Sequence, residues 1–508
     1  MNNNKLCRLF IGITLVGSLM LLSSCKVGPN YHAPVTKVPN TWGPQTPETP
    51  AQNSSVVVIN QPTVAKWWNT FSDPKLDSLI DRAVQSNLDL QLAEERIREA
   101  RAERGIVKAD LYPTVNASAS YQRSHNSGNI GVQTSGGTNI INGDLYQAGF
   151  DAAWEIDVFG RVRRGIEAAD ADIAAQIEDR RDVLVTLLSE VARTYIELRS
   201  FQRQVVIAEA NLKAQQETLD LTRIRFNAGL VSDLDVARAE AQVENTASQI
   251  PIFETFIATS IHQLSVLLGK EPNALLAELT PDEPIPPVPP TVPISLPSEL
   301  LRRRPDIRRA ERNIAATTAR IGVATADLFP RFSLTGSAGL ATTKFSKFAD
   351  SGSGTWSILP GVTIPIDFGR IRSNIAVQNA REQQAVTTYE QTILTSLQEV
   401  ADALVAFGNE QTRRQKLSAA VDSNQRAVDL ADQLYQKGLT DFLTVLQAQR
   451  DLYQTEDQLV QSNRAVSSNL VALYKALGGG WEIEMESPPP EGKAGDRTID
   501  LTQASSQQ

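Results

Sequence analysis

The chain has 508 residues, of which 41% are hydrophobic and 21% are charged, and its formal net charge is −9. This length allows two or three ordinary domains. Loss of a leader that contains Lys5 and Arg8 would take the net charge to −11. An acidic chain of this kind argues against nucleic acid as a partner.

The first 24 residues have the pattern of a lipoprotein signal peptide. Lys5 and Arg8 precede an apolar run, residues 9–22, that is too short to span a bilayer as a mature helix. The run ends in "LLSSC", the lipobox pattern, so that cleavage would leave Cys25 at the N-terminus with acyl chains, palmitate among them, as its anchor. The alternative is an ordinary secretory signal with a chance cysteine. Lys26, where an acidic residue would favour inner-membrane retention, indicates the outer membrane.

Four segments alternate between apolar and polar side chains, as half-buried strands do. They begin near Val115, Tyr146, Phe332 and Trp356, and Pro360 is expected to interrupt the fourth. Each has the length of a tilted transmembrane strand, although a soluble sheet with one wet face is the alternative. Four strands cannot close a barrel, and open edges are not tolerated in hydrocarbon. Transmembrane strands would therefore be shared between chains, and three copies would supply twelve.

Long helices are predicted between the strands. A proline-free stretch, residues 159–227, has a strict seven-residue apolar step, and a second stretch 209 residues later repeats it except at Arg414. A sustained step of seven indicates left-handed supercoiling against neighbouring helices. At 1.5 Å per residue, about 69 residues would extend roughly 100 Å. Shorter helices are predicted at residues 75–111, 232–268, 298–328 and 441–477.

The two long helices end in related turns, "RFNAGLVSDLDV" and "LYQKGLTDFLTV". Gly229 and Gly438 are expected to stop the helices, and Ser232 and Asp441 to cap the next ones, so that each turn reverses a helical hairpin. The chain is therefore interpreted as two internal repeats. The predicted segments are a signal peptide at 1–24, a lipidated extended segment at 25–74, a first repeat at 75–280, a Pro-rich linker at 281–297, a second repeat at 298–480 and a disordered tail at 481–508.

No motif for catalysis or for metal binding is found. The histidines are widely separated, and there is no nucleophile elbow, phosphate loop or paired-ligand metal motif. We therefore expect neither enzymatic activity nor a cofactor other than the lipid on Cys25. The arginine-rich stretch 302–312 is interpreted as a solvated helix face paired with Asp306 and Glu311, with a structural or adaptor-facing network as the alternative.

The sequence resembles outer-membrane efflux factors of the TolC-like type, in the lipoprotein branch that includes NodT-like proteins. The matching stretches are "CKVGPNYHAP" at Cys25, "WWNTFSDPKLDSLI" at Trp67, "LLRRRPDIRRAERNIAATTARIGVATADLFPRFSLTGS" at Leu300, "DFGR" at Asp367 and "LGGGW" at Leu477. The resemblance implies an α+β membrane protein: a homotrimer with a shared twelve-stranded barrel, four strands per chain, continued by a long α-helical coiled-coil tunnel in the periplasm.

The resemblance also implies the function of a passive outer-membrane duct. Such a duct joins an inner-membrane pump of the RND type through a periplasmic adaptor, and it exports solutes such as drugs, toxic compounds or metal ions. A lipid-anchored periplasmic coiled-coil scaffold without a pore is the alternative.

A gate at the periplasmic helix ends follows from the same resemblance. Leu443 matches a leucine that constricts the pore in this branch, and Arg450 matches an arginine nearby. Gln447 stands where relatives often carry an aspartate. Asp441, together with Asp233 and Asp235 of the first turn, could supply negative charge close to this constriction.

Overall fold

A computed structural model describes residues 26–42, 55–59, 65–125, 133–134, 137–138 and 143–483. The predicted signal peptide, the lipidation site Cys25 and residues 484–508 of the predicted tail lie outside this part. The helices within it are α1 (Pro74–Ser86), α2 (Leu88–Ala109), α3 (Arg161–Asn227), α4 (Asp233–Ala247), α5 (Ile250–Leu267), α6 (Leu276–Leu279), α7 (Pro297–Arg303), α8 (Pro305–Ala326), α9 (Phe368–Gln436) and α10 (Phe442–Ala476). The strands are β1 (Val56–Ile59), β2 (Thr114–Ser124), β3 (Gln133–Thr134), β4 (Gly137–Thr138), β5 (Gly143–Ile156), β6 (Thr291–Ile294), β7 (Arg331–Thr342) and β8 (Gly354–Thr363).

The chain divides into two compact units, each assembled from three stretches. The sheet unit comprises Met1–Thr36, Glu94–Glu178 and Ile307–Thr392. The hairpin unit comprises Lys37–Ala93, Asp179–Asp306 and Ile393–Gln508. Each unit takes stretches from both halves of the sequence, so neither unit corresponds to one predicted repeat.

The sheet unit contains a four-stranded antiparallel sheet in the order β2-β5-β7-β8. Its register places most apolar side chains of the four strands on one face and most polar side chains on the other, with Leu359 on the polar face and Arg123 on the apolar face as exceptions. One apolar row comprises Ala117, Phe150, Ala338 and Trp356, and the adjacent row on the opposite face comprises Asn116, Asp151, Ser337 and Ser357. The predicted alternation is confirmed, and the register extends it across the whole sheet.

Pro360 does not interrupt β8, contrary to the prediction from sequence. The strand runs from Gly354 to Thr363, and Pro360 is paired with Leu334 of β7. β8 lies at an edge of the sheet. Proline is tolerated on an edge strand, because its missing N–H group can face away from the neighbouring strand.

The two long helices are confirmed within two residues of their predicted start or end. α3 has 67 residues and α9 has 69. The seven-residue step supplies much of their buried surface, because Leu184, Val191, Val400 and Phe407 are all buried. Arg414, the exception in the step, is half-buried.

Three of the four shorter predicted helices are broken, and only 441–477 is continuous, as α10. The stretch 75–111 breaks at Asn87, whose Oδ1 accepts a hydrogen bond from the amide of Leu90 (2.9 Å) and so begins α2. The other two breaks precede Pro251 and Pro305. Proline removes a backbone donor and disfavours helical backbone in the residue before it.

The hairpin unit buries a large apolar core that includes the segment before α1. Residues 67–71 form a 3₁₀ helix in which Trp67, Trp68 and Phe71 are buried, and Trp67 stacks on Tyr474 with ring centroids 5.3 Å apart. The sequence had indicated that residues 25–74 are extended, and this prediction is wrong for residues 67–71. The Pro-rich linker also has structure, since its strand β6 pairs in parallel with β1.

Candidate functional site

Both helix reversals of the hairpin unit use the same backbone geometry. Gly229 and Gly438 have φ values of 72° and 73°. At the first reversal, the amides of Gly229 and Leu230 donate to the carbonyls of Phe226 (2.8 Å) and Arg225 (2.9 Å), and the second reversal repeats both bonds. This is the Schellman motif, whose left-handed position favours glycine because glycine has no Cβ. The two predicted stops are confirmed.

The helices after the reversals begin directly after the two predicted N-cap residues, Ser232 and Asp441, which form different hydrogen bonds. Asp441 Oδ1 accepts hydrogen bonds from the amide (3.0 Å) and hydroxyl (2.6 Å) of Thr444. Ser232 donates from its amide (3.2 Å) and hydroxyl (2.8 Å) to Asp235 Oδ2. The hydroxyl of Thr444, and then its amide, lower the pKa of Asp441 below its ordinary value. Two of the three candidate gate carboxylates are thus engaged in capping.

The remaining candidate gate residues are exposed. Leu443, Gln447 and Arg450 lie on α10 at a spacing of four and then three residues, which puts them on one helix face. Asp233 is exposed at the first position of α4. The described chain has no group of three or more His, Cys, Asp or Glu side chains that could hold a metal ion.

A separate apolar cluster joins the two reversals. It combines side chains of the first hairpin, on α3 and α4, with side chains of the second, on α9 and α10. Its buried members are Leu219, Val236, Ala239, Val243, Ala431, Tyr435, Phe442, Val445 and Leu446. The ends of the two hairpins therefore pack against each other within one chain.

Arg225 adds a polar tie between the reversals that the sequence analysis missed. Its Nη2 donates to the carbonyl of Gln436 (2.9 Å), and its guanidinium lies 4.2 Å from the ring centroid of Tyr435. Tyr435 is 2% exposed, whereas its counterpart Phe226 is 41% exposed. The first reversal thus supplies the cation and the second supplies its acceptors. The sequence did contain a signal for this asymmetry. The residue of the second reversal that is equivalent to Arg225, 209 positions later, is the apolar Leu434.

Leucines are exposed at matching positions of both reversals. Leu230 and its counterpart Leu439 are 73% and 70% exposed. Leu234 and its counterpart Leu443 are also exposed. Of these four leucines, only Leu443 was predicted from the sequence to have a role. A contiguous patch of exposed apolar side chains is typical of a surface that meets another protein.

Aromatic side chains lie at both ends of the apolar sheet face. We call these the helix end, where β5 leads into α3, and the loop end, where residues 343–353 connect β7 to β8. At the helix end, the ring centroids of Phe159 and Phe329 are 4.6 Å apart, and Trp154 Nε1 donates to a backbone carbonyl (3.0 Å). At the loop end, the rings of Tyr121 and Tyr146 are 4.9 Å apart. Tyr146 and Trp154 are separated by roughly 27 Å along β5. Aromatic girdles on either side of an apolar band about 25 Å tall are typical of outer-membrane strands.

The first described residues are fixed to the helix end of the sheet unit. Arg164 is buried, and it donates to the carbonyl of Val27 (3.0 Å) and to Asn30 Oδ1 (2.8 Å). Gly28 has a φ of 88°, and a Cβ there would lie 2.5 Å from the Cα of Gly322. The segment that follows Cys25 is therefore held beside the start of α3.

Part of the arginine-rich stretch is buried, which corrects the predicted solvated face. Arg304 is 8% exposed and bonds Asp306 (2.6 and 3.0 Å), Glu399 (2.6 Å) and the carbonyl of Ala476 (3.0 Å). Pro305 follows it directly, so Arg304 takes an extended backbone at the end of α7 and leaves the helix face. Arg304 therefore belongs to a structural hydrogen-bond network, which was the alternative interpretation of this stretch.

Comparison with known proteins identifies the family. The family model described as "Outer membrane efflux protein" matches residues 79–270 and 296–479. The chain belongs to this family. It is an outer-membrane efflux protein, and its location is the outer membrane.

Individual relatives match over nearly their full length. The chain is 34% identical to the solvent efflux pump outer membrane protein SrpC of Pseudomonas putida, over 92% of the chain and 97% of that protein. It is 31% identical to Nodulation protein T of Rhizobium leguminosarum bv. trifolii, over 91% and 96%. The solved outer-membrane channel OprN is 36% identical, with a TM-score of 0.81, over 90% of the chain and all of that structure.

Proposed function

We propose that three copies of the chain form one passive duct through the outer membrane. The observation that carries this proposal is a sheet with one apolar face and two edges, on β2 and β8, that have no neighbour in the described chain. In hydrocarbon such edges must be paired. Because the sheet has an even number of antiparallel strands, β8 of one copy would run antiparallel to β2 of the next, and three copies would close a twelve-stranded barrel.

The polar face of the sheet would then line the duct, and the long helices would continue it as a coiled-coil tunnel in the periplasm. The two internal repeats, 75–280 and 298–480, would each contribute two strands and one hairpin, joined by the linker 281–297. Acyl chains on Cys25 would anchor the extended segment beside the barrel. This placement is supported by Arg164, which holds the backbone of Val27 next to the strand–helix junction.

We also propose that the duct works with a periplasmic adaptor and an inner-membrane pump of the RND type. The name of SrpC, an outer membrane protein of a solvent efflux pump, supports such an assembly. Leu230 and Leu439, which are exposed at matching positions of the two reversals, would offer the adaptor an apolar contact. The solutes would be those that the pump selects, whether drugs, toxic compounds or metal ions.

The gate would lie where six reversals from three chains surround one aperture. Leu443, Gln447 and Arg450 would face the aperture from α10, and Asp233 would add charge from α4. Asp235 and Asp441 would act indirectly, by holding the turns after Gly229 and Gly438 through their caps. Arg225 would keep the two reversals of each chain together in the closed state.

Native mass measurement and planar-bilayer conductance of the full-length chain test the duct. We expect a trimer that conducts ions. A matched pair of variants tests the membrane sheet. Trp356→Arg places a charge on the apolar face and should prevent insertion, since such a charge costs about 2–4 kcal/mol at the bilayer midplane. Ser357→Arg, on the opposite face, should insert and change the conductance.

If the chain were instead a lipid-anchored scaffold without a pore, we would expect the opposite results from the same samples. A lipid-anchored coiled coil would produce no conductance in any preparation. It would also tolerate Trp356→Arg and Ser357→Arg equally well. A stable monomer, or equal behaviour of the two variants, would therefore overturn the duct.

A further inference from the structure

The connection between β7 and β8, at the loop end of the sheet, has an unusual composition. Within residues 343–353 it has two lysines, Lys344 and Lys347, and two phenylalanines, Phe345 and Phe348, against a single acidic residue, Asp350. Both lysines are exposed, and neither forms an ion pair with any described residue. Two exposed cations that have no carboxylate partner in the described part of the chain are available to an external anion.

The connection is held in a defined shape by its own backbone. A 3₁₀ helix, Phe345–Lys347, places the two lysines one turn apart, with the amide of Lys347 donating to the carbonyl of Lys344 (2.9 Å). The hydroxyl of Ser353 donates to the carbonyl of Lys347 (2.7 Å), and Ser353 is itself buried. The backbone positions from which the two lysine side chains extend are therefore set by a folded loop.

Phe345 connects this loop to the aromatic belt of the apolar sheet face. Its ring centroid lies 5.4 Å from that of Tyr146, and its side chain is 70% exposed. Tyr121 and Tyr146 belong to the apolar face by their register. Arg123 shares that face and lies 3.7 Å from Asp144. The corner thus presents an apolar ring at the edge of the apolar band, with basic groups next to it.

We propose that this corner binds the phosphate groups of lipopolysaccharide in the outer leaflet. Phe345 would contact the acyl chains, and Lys344 and Lys347 would contact the phosphates just beyond them. Ammonium groups bind phosphate as point charges with strong hydrogen bonds. The inference rests on the transmembrane placement of the sheet proposed above, because only that placement brings the loop to the outer leaflet.

The test is a titration of the full-length chain in detergent with purified lipopolysaccharide that carries its lipid A phosphates. The Lys344→Gln/Lys347→Gln variant should bind about thirtyfold more weakly, because each basic side chain at an anionic lipid surface contributes about a factor of five. The Lys213→Gln/Lys416→Gln variant removes the same charge from exposed helical positions and should bind like wild type. Lipopolysaccharide stripped of phosphate should bind wild type as weakly as the intact lipid binds the loop variant.

Three results would overturn the site: no binding by wild type, equal binding by the loop variant, or equal binding of the stripped lipid. Phe345→Ser keeps both lysines, and unchanged binding by it would remove the acyl contact from the proposal. Trimer formation and conductance are measured on the same samples. Lysine-dependent binding without conductance would reject the duct and leave the site, whereas conductance without lysine-dependent binding would reject the site alone.

Discussion

At the scale of single residues, buried arginines donate hydrogen bonds to backbone carbonyls at a helix break, in the linker and in the first described residues. Arg199 is buried and donates to the carbonyl of Pro281 (2.8 Å) and to Glu283 (2.5 Å) at the start of the linker. Arg304, at the break before Pro305, donates to the carbonyl of Ala476. Arg164 donates to the carbonyl of Val27 and so holds residues 27–30. A guanidinium has five donors in a fixed geometry, so one side chain can satisfy several carbonyls that no helix or strand satisfies.

Arg225 is the arginine whose loss should change gating. Its contacts join the two reversals, and a cation over a ring together with a charge-assisted hydrogen bond contribute on the order of 1–2 kcal/mol. Arg225→Leu should shift the closed–open balance about tenfold towards the open state. We expect a higher resting conductance in planar bilayers and greater sensitivity of cells to large antibiotics.

Arg223 provides the matched control, because it lies on the same helix and pairs with Glu240 (2.8 Å) inside the first hairpin only. Arg223→Leu removes the same charge and should leave the resting conductance unchanged. If both variants conduct alike, the tie between the hairpins has no part in closure.

At the scale of elements, the ends of the helices depend on caps and prolines more than on helix propensity. α10 is continuous over 35 residues and begins at the Asp441 cap. The stretches on either side of Pro251 and Pro305 are broken. A helix end leaves backbone donors without partners, and a side-chain oxygen that accepts from them sets the first residue of the helix.

The Asp441 cap should make the start of α10 sensitive to acid. Its folded pKa is depressed below the ordinary 3.8, so its contribution is complete above pH 3.8 and is lost as the pH falls through the folded pKa. The protection of the Thr444 amide against hydrogen exchange, measured relative to its intrinsic rate at each pH, should fall over that range in wild type. Asp441→Ala should exchange about fivefold faster already at neutral pH.

Asp441→Asn separates the charge from the hydrogen bond. Asparagine caps a helix about as well as aspartate does, but it does not titrate. Its protection should be close to that of wild type at neutral pH and should not fall through the acidic range. An acid-induced loss of protection equal to that of wild type would assign the effect to another group.

At the scale of the whole molecule, the proposed assembly depends on the edges of β2 and β8, which have no neighbour in the described chain. Thr355, on the polar face of β8, should meet β2 of a neighbouring copy. Thr355→Cys combined with a cysteine at Asn116, Ser118 or Ser120 in turn should give covalent dimers and trimers with a short thiol cross-linker. One of the three positions should react most strongly, because strand register is specific.

Ser337 is the control position, since it lies on the same polar face but on the interior strand β7. Ser337→Cys with the same β2 cysteines should give far less cross-linking between chains. Equal yields from Thr355 and Ser337 would show that β8 does not meet a neighbouring β2.

The sequence by itself determined the features that depend on local periodicity. The alternation of the strands, the long helices α3 and α9, the glycine stops and the caps all follow from backbone and side-chain preferences within a few residues. Only the tertiary structure decided what depends on residues far apart in the chain. The register that assembles one apolar face, the burial of Arg304 against Glu399 and the tie from Arg225 to Tyr435 each join residues about 95 to more than 200 positions apart. Local patterns cannot specify such pairs, because many residues of suitable chemistry would be equally acceptable partners. Only the packing of the folded chain selects one of them.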